Sequence, residues 1–269
     1  MDSYDIVLFG AGNVATHLSR HLRFRGHRIR CICSRAGLRL DALAGELGVP
    51  AVTRADRVPR GADFYILAVP DGVVGEVLDA AADPGGIWLH TAGAVDASVF
   101  HGKRQHFGVL YPLQSIRSEH PVDWDNLPLL AEGSDEAVEQ KILKLAGSLS
   151  SVVLRTDSDQ RLKIHLAAVF ANNFGNHLVR IALELMKKEN LDPGLLEPLI
   201  RETCRRAVEA GPEKSQTGPA VRGDLETQVR HLELLKNLPE WQKIYTFMSR
   251  DIQRLAGDAG RKDSENEQA

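Results

Sequence analysis

The chain has 269 residues, 43% of them apolar, and a net charge of −3 at pH 7, the make-up of an ordinary soluble globular protein long enough for two domains. With no basic excess, no nucleic-acid partner is expected. No apolar run approaches the roughly 18–20 residues of a membrane span, and Met1-Asp2-Ser3-Tyr4-Asp5 leads straight into a strand pattern, so neither a signal peptide nor a membrane anchor is expected and the expected compartment is the cytoplasm.

The first element is a strand over 4–9, and it feeds Gly10-Ala11-Gly12-Asn13-Val14-Ala15. Glycines spaced G-x-G-x-x-A between an apolar strand and a helix form the phosphate-binding turn of a dinucleotide fold. Gly10 permits the tight exit from the strand, Gly12 lets the backbone approach a pyrophosphate, and Ala15 keeps the helix close to the sheet. The N–H groups of that helix start, at Gly12, Asn13 and Val14, are expected to hold the pyrophosphate.

Further strands read near 28–33, 63–69 and 86–90, with a short weak one near 50–52 and amphipathic helices between. Cys31 and Cys33 share one face of the second strand and lack C-x-x-C spacing; with Cys204 they read as reduced thiols, the first two as small buried groups rather than metal ligands. Where NAD-binding versions of this fold place a carboxylate for the adenosine ribose, the sequence has Ile32-Cys33-Ser34-Arg35. Ser34 and Arg35 suit a 2′-phosphate instead, so NADP is the expected cofactor. Ligands of open parallel sheets bind beyond the carboxyl ends of strands. On that ground Val69 and Pro70, after one strand, and His90 and Thr91, after the next, are candidates to line the nicotinamide. Asp71 reads as a helix cap.

The runs 106–110 and 127–131 extend the sheet, followed by a helix over Asp135–Leu149 and a last strand at 152–154. An NADP-binding Rossmann domain over 1–155 is therefore expected, then an all-helical substrate and dimerisation domain over 156–257, then a disordered tail over 258–269. The fold class is α/β with a mostly parallel sheet followed by a helical C-terminal domain.

In the helical half, Asp157 or Ser158 caps a helix reaching about Glu189, with Leu162, Leu166, Phe170, Phe174 and Leu178 on one face. Further helices read at about 195–210, 223–237 and 239–256. Lys163, His165, Asn172 and Asn173 supply the polar groups a hydride-transfer site needs, with His165 the candidate general acid and His90 and Lys163 its competitors. His165 and Asn172, seven apart, share a face of a regular helix. Thr217-Gly218-Pro219 through Asp224 forms a fixed loop in which Asp224 caps the next helix and Arg222 is free to clamp an anion.

Taken together, the glycine turn, Ala68-Val69-Pro70-Asp71, His90-Thr91-Ala92-Gly93-Ala94, Tyr111-Pro112-Leu113-Gln114-Ser115, the Lys163–Asn173 run and the Thr217–Asp224 loop resemble a family labelled NADP oxidoreductases, Rossmann-like proteins with a helical C-terminal domain of unknown function. The likeness covers about residues 4–255. More distantly the chain is similar to pyrroline-5-carboxylate reductase, deazaflavin-dependent NADP oxidoreductases and β-hydroxyacid dehydrogenases. The resemblance implies an NADP site and a homodimer formed through the helical domain, but no particular substrate. It departs from β-hydroxyacid dehydrogenases in having Ala167, not asparagine, four residues after Lys163.

The resulting expectation is an NADP-dependent oxidoreductase acting on a small carbonyl, imine or hydroxy acid bound between the domains. The alternative is an NADP-binding sensor or interaction protein without turnover.

Overall fold

In the run Ile6-Val7-Leu8-Phe9 every side chain is apolar and none is more than 1% exposed, as a strand covered on both faces requires. Alternation along the pleat then divides the core: Ile6 and Leu8 enter one apolar cluster, Val7 and Phe9 the other. The computed structural model describes residues 3–117 and 119–266.

The eight strands are β1 (Asp5–Phe9), β2 (Arg28–Cys33), β3 (Ala51–Val52), β4 (Phe64–Leu67), β5 (Ile87–His90), β6 (Phe107–Pro112), β7 (Leu129–Gly133) and β8 (Val153–Arg155). They lie in the order β3-β2-β1-β4-β5-β6-β7-β8. Every neighbouring pair is parallel except β6 with β7. The edge strands β3 and β8 have two and three residues, which leaves little open ladder for another chain to join.

The helices α1 (Asn13–Phe24), α2 (Leu38–Leu47) and α4 (Glu136–Leu149) pack Leu18, Leu22, Leu40, Leu43, Ile142 and Leu145 on the Ile6 face. On the opposite face α3 (Val74–Ala80) brings Val74 and Leu78 against Val7 and Phe9. This is the expected α/β fold with a mostly parallel sheet. Its strand order reverses at β1, whose partners are β2 on one side and β4 on the other, and a crevice at their carboxyl ends follows.

Beyond β8, a helix opens at Asp157, which accepts the Gln160 N–H at 2.7 Å in a capping box. The helical stretch runs as α5 (Ser158–Ala168), a π-turn over Val169–Phe174, and α6 (Gly175–Lys188). Asn190, at φ 56°, ends it in the left-handed conformation. Then come α7 (Glu197–Glu209), the short α8 (Pro212–Ser215), α9 (Leu225–Leu234) and α10 (Pro239–Asn266).

The chain divides into two compact units, Met1–Asn173 and Phe174–Ala269. The division falls later than the expected residue 155, since α5 is tied to the sheet unit. Ser158 Oγ accepts the Ala97 N–H at 3.0 Å, and Arg161 is ion-paired with Glu132 of β7. Among the described residues, the second unit has helices joined by loops and no strand.

The expected tail over 258–269 needs correcting. The backbone stays helical to Asn266, and residues 267–269 lie outside the described residues. The polarity that read as disorder comes with helix formers and with Arg254 pairing to Asp251 and Asp258, and a helix already started needs only such local support.

Candidate functional site

A cavity of about 740 Å³ opens at the carboxyl ends of β1, β2 and β4, lined by Gly10 to Gly12, Ser34 to Arg39, Val69 and Pro70 among others. Six of the residues expected to bind cofactor, Gly10, Gly12, Ser34, Arg35, Val69 and Pro70, thus meet in one place.

The two glycines have different work. Gly10 has φ +113°, and a Cβ there would stand 2.2 Å from the Ala68 carbonyl oxygen, so it lets β1 pass the end of β4. A Cβ on Gly12 would meet nothing within 4 Å; its face is open to the cavity. Gly12 caps α1 with no side-chain hydrogen bond, and no acid stands in the first turn, which leaves that helix start electropositive. Ala15 is fully buried, as close packing of helix on sheet demands.

The side chains of Asn13 and Val14 are both engaged within the protein. Asn13 donates through Nδ2 to the Ile116 carbonyl at 3.2 Å, and Val14 packs on the core, so only their backbone N–H groups remain for a ligand. The Asn13 bond is one of three along α1: His17 Nε2 lies 3.0 Å from the Arg117 carbonyl and His21 Nε2 lies 2.9 Å from that of Leu149.

On the β2 side, Arg35 and Arg39 are both exposed, both line the cavity, and neither is in an ion pair among the described residues. Arg39 went unread in the sequence; its signal was the spacing of four from Arg35 at a helix start. Leu38, 89% exposed, stands between them. Cys33 also touches the cavity, but burial pushes its thiol up to about 11 and that of Cys31 to about 12, so both are unreactive thiols.

His90 is a correction. It is fully buried, its ring stacked on Phe100 with centroids 5.7 Å apart and its Nδ1 accepting the Ala92 N–H at 3.2 Å. Burial, helped by the Arg161 charge and opposed by Asp96, drives its pKa down to about 3, so it is a neutral core residue with no route to a substrate. The four residues of β5 are all buried, and the sequence could not tell the last of them from a rim position. Thr91 is also buried and bonds back to the Leu67 carbonyl rather than facing the cavity. Asp71 is no helix cap: it opens a short 3-10 turn, makes no capping bond and is exposed.

His165 is half-buried, 3.1 Å through Nδ1 from the Tyr111 hydroxyl. Lys163 is exposed. Asn172 and Asn173 are exposed as well, bonded at 3.5 Å to each other, and the π-turn breaks the seven-residue spacing that would have set Asn172 on the His165 face. Asp224 caps α9 as expected, accepting the Thr227 N–H at 3.0 Å, and Arg222 is exposed.

Residues 5–87 match the model for NADP oxidoreductase, coenzyme F420-dependent, and residues 127–252 match a domain of unknown function, DUF2520. A Bacteroides fragilis protein whose crystal structure is assigned as an NADP oxidoreductase is 35% identical over 94% of this chain and 98% of its own, with a TM-score of 0.86. The chain belongs to this family of NADP oxidoreductases. A Thermotoga maritima protein at 22% identity, covering 95% of this chain and 99% of its own, shares the fold with a TM-score of 0.73. So does pyrroline-5-carboxylate reductase from Coxiella burnetii, 16% identical over 96% of this chain and 98% of its own, with a TM-score of 0.58. No curated protein matches the sequence. In this NADP oxidoreductase the glycine turn lies in the segment matching the oxidoreductase model, while α5 lies in the segment of unknown function. Among the described residues, no helix is long and apolar enough to cross a membrane.

Proposed function

We propose that the chain binds NADP at the β1–β2–β4 crevice and exchanges hydride between its nicotinamide and a small carbonyl, imine or hydroxy-acid substrate. The observation that carries this reading is the pair Arg35 and Arg39, two cavity-lining guanidinium groups without a carboxylate partner among the described residues, where a 2′-phosphate would neutralise them. Gly12 and the free N–H groups of α1 would hold the pyrophosphate, and Ser34 would donate its hydroxyl alongside the arginines. When bound, the dinucleotide supplies or accepts hydride at its nicotinamide. The protein's own task at that end is to orient the substrate and move a proton, and His165 is the sequence-expected residue whose half-buried imidazole suits it.

Thermal unfolding with NADPH and, separately, with NADH tests this reading. A ligand at about a hundred times its dissociation constant adds roughly 2.7 kcal/mol of stability. A large shift from NADPH and a small one from NADH are expected. Equal shifts would overturn the 2′-phosphate site, and none from either would overturn the cofactor.

We infer further that two copies of the chain associate through the helical half. Leu162 and Leu166, one turn apart on α5, are 50% and 57% exposed, and Leu178 on α6 is 39% exposed. From Phe174 to Asp258 the buried residues are Ala220, Gln228, Leu235 and Ser249, too few for a core of its own. A second copy presents the same exposed leucines, and a two-fold axis would cover both sets at once. Sedimentation is expected to give a dimer, and Leu166→Asp a monomer; a monomeric wild type would refute the pairing. Free thiols at Cys31, Cys33 and Cys204 suit the cytoplasm, the compartment we assign.

A further inference from the structure

Tyr111 and His165 reach each other across a gap that only glycine leaves open. The phenol hydroxyl and His165 Nδ1 are 3.1 Å apart, and the rings meet edge to face with centroids 5.9 Å apart. A Cβ on Gly93 would lie 2.5 Å from His165 Nδ1 and 2.9 Å from Tyr111 Cζ. Tyr111 comes from the carboxyl end of β6, Gly93 from the loop after β5 and His165 from α5, so three elements converge at the edge of the sheet where its ligands bind. Neither ring is fully buried.

The charged groups around the phenol are Asp71, after β4, and Arg161, one turn before His165 and already committed to Glu132. Burial first, and Asp71 second, hold the phenol pKa above its usual value, against Arg161. Tyr111 therefore carries its proton at neutral pH and is poised as a donor.

We propose that Tyr111 is the catalytic residue that gives a proton to the oxygen of a carbonyl substrate, with His165 positioning the phenol and restoring its proton. The inference rests on the hydride-transfer reading above and moves the donor's role from His165 to Tyr111. In the reducing direction the carbonyl carbon gains hydride from the reduced dinucleotide while the phenol O–H breaks and its proton forms the alcohol O–H. The phenolate then takes the Nδ1 proton of His165 while Nε2 takes one from a water, which is left as hydroxide; proton exchange of the ring with solvent returns the starting tautomer, so the products are an alcohol, oxidised dinucleotide and hydroxide. The oxidation runs through the same steps reversed. A protonated imine needs no such donor, so the pair favours an aldehyde or ketone, or the matching alcohol, as substrate.

The test is a spectrophotometric titration of tyrosinate in wild type and Tyr111→Phe, each with and without saturating NADP⁺, binding being followed separately by fluorescence. The oxidised nicotinamide is a cation, and beside it the Tyr111 phenol is expected to titrate lower by about one pH unit or more, a shift absent from Tyr111→Phe. NADP⁺ that binds without moving the phenol would overturn the inference and leave the cofactor reading intact. No binding at all would overturn both. With NADPH and any aldehyde or ketone that wild type reduces, Tyr111→Phe is expected to lose about 10²–10⁴ in kcat at unchanged NADPH affinity. His165→Gln is expected to move the pH profile of kcat more than KM. A Tyr111→Phe enzyme with wild-type kcat would return the donor's role to another group.

Discussion

Arg161 on α5 and Glu132 on β7 form an ion pair in which the arginine side chain is 1% exposed and the glutamate 17%. The guanidinium also donates to the Val95 carbonyl and to Ser158 Oγ at 3.1 Å, so one buried cation gathers three segments of the first unit.

Taking away the carboxylate alone strands that cation. Glu132→Ala is expected to cost about 3–5 kcal/mol, whereas replacing both residues by methionine should recover most of the loss, since the desolvation penalty leaves with the charges. Urea denaturation of the two variants measures the difference. A Glu132→Ala protein within about 1 kcal/mol of wild type would mean that water reaches the guanidinium.

Gly10 and Gly12 are expected to respond oppositely to the same small change. Gly10→Ala forces a left-handed backbone and a clash with the Ala68 carbonyl, and should destabilise by several kcal/mol, above the roughly 1–3 kcal/mol of ordinary overpacking. Gly12→Ala meets nothing in the protein, so its melting temperature should be unchanged while NADPH affinity falls. Calorimetry and a binding titration on each variant separate the two effects. Full NADPH affinity in Gly12→Ala would remove the pyrophosphate from that face.

Arg35→Ala and Arg39→Ala should each weaken NADPH about 10- to 100-fold and leave NADH nearly untouched, as expected for the loss of a charge-assisted bond of about 1.5–3 kcal/mol. Titration calorimetry with both dinucleotides checks this, and equal weakening of the two would assign the arginines to the pyrophosphate instead.

Acid should destabilise the fold through His90. Its pKa is held to about 3 in the folded chain against 6.5 ordinarily. Between those values the unfolded chain carries a proton that the folded one does not. Stability is therefore full above about pH 6.5 and falls on acidification by about 1.4 kcal/mol per pH unit from this group. Burial lowers the pKa of His21 and His27 too, and they act in the same direction. His90→Asn, which keeps an acceptor for the Ala92 N–H, should flatten the decline in urea unfolding measured from pH 7 to pH 4; an unchanged slope would assign the loss to other groups.

The strands were legible because each is a short apolar run closed by a turn, and β1 to β8 all fall within a few residues of their expected places. The convergence of Gly10, Gly12, Ser34 and Arg35 on one crevice, the one proposed for the cofactor, was legible for a similar reason: they sit at strand ends, where position in sequence nearly fixes position in space. His90 misled because the last residue of a buried strand and the first of a rim look alike in sequence. Tyr111 and His165 meet across 54 positions, and periodicity carries no information about such a pair. The π-turn at Val169–Phe174 has no compositional signature either, and it shifted every face assigned beyond it.

Asn13, His17 and His21, spaced by four, tie one side of α1 to carbonyls at 116, 117 and 149. A fragment ending near residue 100 would retain the whole glycine turn yet lose all three moorings. The smallest excisable piece that keeps the proposed dinucleotide site intact therefore reaches at least to Leu149, and a break in the 113–128 connection is expected to weaken NADPH binding from a distance.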